Sequence, residues 1–188
     1  MDGRQPILSM SGSVTVHTVE VTTRDMEGLP DARGDSVASM LAADHGIKVG
    51  RVRVNLGYLI KAEMSQDEVE RTVYDLFADP VIEIGSCNGA LLDSNVLFPH
   101  APETVIQVGF KPGVTDNAGQ AGLDGLITLY PRLAGQSQVA TSRTYMFWDL
   151  PEGTDSAELA TMLHNSMIER CAIAGADDCA AARWPSLG

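Results

Sequence analysis

The chain has 188 residues with a formal net charge of −12, 44% apolar and 5% aromatic side chains, a balance that fits a folded, water-soluble protein and excludes a disordered one. The excess of carboxylates opposes binding to nucleic-acid phosphates or anionic lipid, which draws on clustered Lys and Arg. No apolar run approaches the roughly 20 residues that span a bilayer, and "MDGRQPILSMSGS" lacks the basic start and continuous apolar stretch of a signal peptide, so a cytoplasmic protein without nucleic-acid or membrane partners is expected.

Residues 1–13 read as a tail, and "VTVHTVEVTT" that follows is Val- and Thr-rich, as a strand requires. Asp31 and Gly34 then open a helix over 34–45, whose apolar residues recur at i, i+3 and i+4. "RVRVNLGYLIKAEM" alternates: Val52, Val54, Leu56, Tyr58, Ile60, Ala62 and Met64 share one face, Arg51, Arg53, Asn55, Lys61 and Glu63 the other. A hairpin at Asn55–Gly57 and one long strand bent at Gly57 both fit this pattern. Ser65 followed by Glu68 is a capping box, and Pro80 ends that helix before the strand "VIEIGS". Residues 88–103, containing Asn, Pro and Asp, form a connector.

Next comes the strand "VIQVGF", overlapping "GFKPGVTDNAG" at 109–119. The three glycines and a lysine suggest a phosphate loop, but such a loop needs Lys and then Ser or Thr directly after its last glycine. Gly119 is followed by Gln120 and Ala121, so the stretch is read as a strand-to-helix turn with Asp116 as N-cap. A helix over 119–130, the extended "SQVATSRTYMFWDL", a helix over 155–166 and a tail over 176–188 complete the chain.

The second half repeats the first. Asp31 and Gly34 recur as Asp116 and Gly119, 85 residues on. After a one-residue adjustment Val37, Met40 and Leu41 fall on Leu123, Leu126 and Ile127, Val73, Leu76 and Phe77 on Leu159, Met162 and Leu163, and "VIE" at 81–83 on "MIE" at 167–169. The expected fold is α+β: two tandem ferredoxin-like βαββαβ repeats, residues 14–87 and 104–175. A unit of about 85 residues buries only some 60–65% of its chain surface, so the copies are expected to pack as a pseudo-dimer, each covering the other's open sheet face. The same alignment puts Tyr145 and Phe147 on the face away from the helices, where they would contact the other copy or a partner chain.

Chemistry-bearing residues are scattered. Cys87, Cys171 and Cys179 form no C-x-x-C pair and His17, His45, His100 and His164 no ligand spacing, so no metal is expected. No nucleophile elbow G-x-S-x-G and no recognisable Cys, His and Glu set appears. Asp31 and Asp116 suit helix caps, Gly34 and Gly119 close helix packing, and Cys87 and Cys171 core thiols. Arg33, Arg51 and Arg53, basic groups in an acidic chain, are candidate docking residues weighed against a solvated sheet face.

The ordered set "HTVEVTTRDMEGLPDARGDSVASMLAADHG", "VGRVRVNLGYLIKAEMSQDEVERTVYDLFADPVIE" and, more weakly, "VGFKPGVTDNAGQAGLDGL" resembles the PurS family, the small subunit of phosphoribosylformylglycinamidine synthase. Large-type synthases carry a PurS-like pair at their N-terminus, and this chain is similar to that pair. It departs at Ala32 and Asn117, where the family commonly has proline, and its second copy lacks the Gly57-Tyr58 pair. The resemblance implies a non-catalytic component of a glutamine-dependent, ATP-using ligase of purine biosynthesis. Such a component binds no cofactor itself; its glutaminase and synthetase partners use glutamine, ATP and magnesium, and it can form homo-oligomers. "KPGVTDNAGQAGLDGL" also resembles the start of an ACT domain, a paired βαββαβ unit that binds amino acids near its first strand-to-helix loop, which implies a regulatory sensor with Asp116–Gly119 at the ligand site.

Overall fold

The computed structural model describes residues 13–24, 31–91 and 100–187; the expected tail lies almost wholly outside them. The β-branched segments become strands and the i, i+3, i+4 segments helices, in the order β1 (Thr15–Thr23), α1 (Ala32–His45), β2 (Arg51–Ala62), α2 (Gln66–Thr72), a π turn (Val73–Phe77) and β3 (Glu83–Cys87). Then follow β4 (Thr104–Phe110), α3 (Asn117–Leu129), a 3-10 turn (Pro131–Leu133), β5 (Gln138–Trp148), α4 (Ser156–Leu163), β6 (Glu169–Ala174) and α5 (Ala176–Ala180). The class is α+β, and the strands make one six-stranded antiparallel sheet in the order β3-β1-β2-β5-β4-β6.

Two expectations change. The extended segments are single strands: β2 pairs with β5 without interruption from Arg51↔Trp148 to Lys61↔Gln138, so each half supplies three strands where a ferredoxin-like unit has four. A turn at Asn55–Gly57 would break this ladder. Gly57 instead lets β5 approach, since a Cβ there would lie 2.4 Å from Ser142 Oγ. Nor does one half cover the other's open face; β2 and β5 join the halves edge to edge. Backbone groups unpaired at two strand edges are thereby satisfied inside the chain.

Helices α1 to α4 pack on one face, in two cores. The first combines Val19 and Val21 of β1, Ile60 and Ala62 of β2 and Val69 of α2 with Leu126 of α3 and Leu133 of the 3-10 turn. The second combines Leu41 of α1 and Val52 and Val54 of β2 with Ile106 and Val108 of β4, Tyr145 and Phe147 of β5 and Leu159 of α4. Each core thus draws on both halves: α3 completes the first, α1 the second. The opposite face is covered over β4 and β5, where Val105, Met146, Trp148 and Ala174 pack with Leu91, Cys179 and Trp184, so the expected C-terminal tail contains a helix and a core residue.

Tyr145 and Phe147 therefore occupy the helix face, not the face away from it, and Met146 and Trp148 the reverse. The register explains this: Val54 pairs with Tyr145 and Val52 with Phe147, and cross-strand partners share a face. A one-residue slip in the alignment of the halves inverts every side chain in the strand.

Candidate functional site

A polar seam crosses the helix face where the two cores meet. At its centre Leu56 of β2 pairs with Arg143 of β5. To one side, the chain entering β6 makes an Asx turn: Asn165 Oδ1 accepts from Met167 N–H at 3.0 Å, and Glu169 Oε2 accepts from Asn165 N–H at 2.7 Å. Glu169 Oε1 accepts from Arg143 Nη2. The chain entering β3 repeats this: Asp79 Oδ1 accepts from Val81 N–H at 2.8 Å, Glu83 Oε2 from Asp79 N–H at 2.9 Å, and Glu83 Oε1 from Arg33 Nη2 at 2.5 Å. Glu83 and Glu169 are both buried, so each carboxylate needs its arginine. Tyr58 lies near the first pair and Tyr145 near the second, and burial raises both phenols above their ordinary range.

The helices that flank the seam are set by the repeated turns. Asp116 Oδ1 accepts from Gly119 N–H at 2.7 Å and its Oδ2 from Thr141 N–H at 2.6 Å, tying the start of α3 to β5. Asp31 holds the N-cap position of α1 without a side-chain cap bond; its Oδ1 accepts from Thr23 Oγ1 at 3.3 Å. A Cβ at Gly34 would lie 2.1 Å from Val52 O, and one at Gly119 2.6 Å from Val139 O. Both glycines are thus needed where a helix touches a strand carbonyl.

The candidate docking residues do not form one patch. Arg33 is on the helix face, paired with Glu83. Arg51 and Arg53 are on the opposite face, Arg51 lying 5.3 Å from the Trp148 ring and Arg53 donating from Nη1 to Thr23 O at 2.7 Å. Arg53 is 3% exposed, Tyr145 5% and Phe147 0%, so these three side chains are buried within the chain. The thiols are free; Cys87 and Cys171 are half-buried and Cys179 is buried. Burial raises the Cys87 thiol, with Glu70 adding to it, and burial raises Cys179 likewise, so neither has the thiolate character of a nucleophile.

Concavities lie elsewhere among the described residues. One of about 270 Å³ lies on the seam, lined by Leu56, Tyr58, Phe110, Ala118, Thr141 and Arg143. A larger one, about 530 Å³, opens between the C-terminal end of α1 and the N-terminal end of α4, with Asp44, Ile47, Glu152, Glu158, Leu159 and Met162 in its walls. Sequence reasoning missed both, along with the Arg143–Glu169 pair; the repeated "VIE" and "MIE" was the available signal for Glu83 and Glu169.

Among the described residues no group of three His, Cys, Asp or Glu could hold a metal ion, and no helix is long and apolar enough to cross a membrane. No family model matches the chain, and no curated protein matches it.

Proposed function

We propose that the chain is a PurS-like, non-catalytic subunit or domain of phosphoribosylformylglycinamidine synthase that holds a glutaminase and an ATP-using synthetase together. Such a scaffold raises the local concentration of released ammonia at the second active site. The observation that carries the reading is the duplicated corner, with its Asx turn and buried glutamate at residues 79–83 and 165–169; the arginine on each glutamate comes from a different element, Arg33 of α1 and Arg143 of β5. It supports two diverged β-α-β-α-β copies, the pairing that the sequence resemblance implies. Each corner also presents an exposed apolar pair, Val81 with Ile82 and Met167 with Ile168, suited to two partner contacts on one molecule.

The test is co-expression with glutaminase and synthetase chains, followed by size exclusion with glutamine and ADP present. Co-elution is expected; separate elution counts against the reading. A sensor of the ACT-like kind is the second reading, favoured by the seam concavity beside Ala118 and Thr141. It predicts that an amino acid at about 100 times its dissociation constant stabilises the chain by about 2.7 kcal/mol, measurable by thermal shift; a screen without shifts removes it.

A further inference from the structure

We propose that Asn88 and Gly89 form a self-modification site, at which the chain converts asparagine to aspartate or isoaspartate, and that the conversion loosens the corner where β1, β3 and α2 meet. Of the five asparagines, Asn88 alone is followed by glycine, so no side chain shields the next backbone nitrogen. Both residues are exposed. The space is open as well: a Cβ built at Gly89 meets nothing nearer than Cys87 O at 3.9 Å. Gly89 N–H, the nucleophile, makes no hydrogen bond among the described residues. Its target is polarised, since Asn88 Oδ1 accepts from Thr18 N–H at 3.0 Å and a donor on that oxygen stabilises the charge that attack places there. Because β3 ends at Cys87, turning the Asn88 Cα–C bond to bring the nitrogen onto Cγ moves the connector and not the strand. The contact broken by this turn is an exposed one, Ser86 Oγ to Gly89 O at 2.9 Å.

The step needs water and no redox partner. The Gly89 nitrogen bonds to Asn88 Cγ, the Cγ–Nδ2 bond breaks, and Nδ2 leaves as ammonia with the proton that Gly89 gives up. Hydroxide speeds the attack by taking that proton first, and water returns it to the leaving nitrogen. One water then opens the cyclic imide, at Cγ to give aspartate or at the Asn88 backbone carbonyl to give isoaspartate.

The consequence follows from what the amide holds. Asn88 Nδ2 donates to Gln66 Oε1 of α2 at 2.5 Å and to Nδ1 of the buried His17 of β1 at 3.2 Å. Gln66 in turn donates from Nε2 to Glu70 Oε1 at 3.0 Å and to Cys87 Sγ at 3.1 Å. A carboxylate has no proton to offer, so the aspartate product sets an oxygen against two acceptors. Gln66 meets it by turning its amide over, which gives up both Nε2 bonds. Isoaspartate adds a carbon to the main chain ahead of Gly89 and so displaces Leu91, whose N–H donates to Glu20 Oε2 at 2.8 Å. The inference rests on this corner alone and is independent of the synthase reading.

The test is peptide mapping by mass spectrometry of the whole folded protein held in mildly alkaline buffer, beside the same protein in urea. Conversion of Asn88 to both products is expected in the fold, faster as the pH rises. Gly89→Ala keeps the corner, because its Cβ has room, and is expected to slow the reaction about tenfold by hindering the attack. No conversion in the fold while the urea-treated protein converts completely overturns the proposal, as does an equal rate in Gly89→Ala. Asn88→Asp is measured in parallel for the consequence. A lower thermal midpoint and displaced NMR signals of the His17 ring and the Gln66 side-chain amide are expected; an unchanged midpoint with unchanged signals overturns the loosening.

Discussion

At the scale of single residues, Gly34 and Glu68 make the sharpest claims. Alanine at Gly34 drives its Cβ to 2.1 Å from Val52 O and at Gly119 to 2.6 Å from Val139 O, and neither contact can relax without moving a strand. Gly34→Ala is expected to cost about 3 kcal/mol and Gly119→Ala somewhat less, both read from urea midpoints; neutral outcomes would mean that the helices do not sit so close. Glu68 is held below the usual carboxylate range first by Ser65 N–H, with the Ser65 hydroxyl and Arg132 acting in the same direction. Its folded value lies below its unfolded one, so its stabilisation is present above about pH 4.3 and is lost as pH falls through the folded value. Glu68→Gln should flatten the stability profile in that acid range only, and an unchanged slope refutes the assignment. The capping box was legible because it is local, four consecutive residues suffice, whereas Arg132 as a second partner 64 positions away was not.

At the scale of elements, the strands are decided by pairing and the helices by their ends. Ser65→Ala removes the side-chain acceptor for Glu68 N–H and the hydroxyl that donates to Glu68 Oε2, leaving the Ser65 N–H contact to Glu68 in place, and should cost about 1 kcal/mol. Phe147→Ala empties a 0% exposed position in β5 between α1 and α4, for an expected loss of about 3–5 kcal/mol. Met167→Ala, at 82% exposure, should stay within about 0.5 kcal/mol. Chemical denaturation of the two variants side by side checks both values.

For the molecule as a whole, the two cores are built across the halves. A fragment of residues 1–100 lacks Leu126, Leu133 and Val139 from the first core and every β4, β5 and α4 residue from the second. It also leaves the long edge of β2 unpaired. Expressed alone, it should either dimerise through β2 or remain unfolded. A monomer with a sharp thermal transition in sedimentation and calorimetry would contradict the interlocked arrangement.

What the amino-acid order determined alone is local and periodic: strands from alternation, helices from the 3.6-residue repeat, caps at Ser65 and Asp116, and the recurrence of Asp31 and Gly34 at Asp116 and Gly119. Each depends on residues a few positions apart, so each is written in a short window. Which face of β5 meets the helices, the edge-to-edge join and the crossing of α1 and α3 between cores were decided by the tertiary structure. Alternation defines two faces but does not say which one is covered; that follows from the register against β2, a pairing of residues as far apart as Arg51 and Trp148, where a slip of one position reverses every side chain.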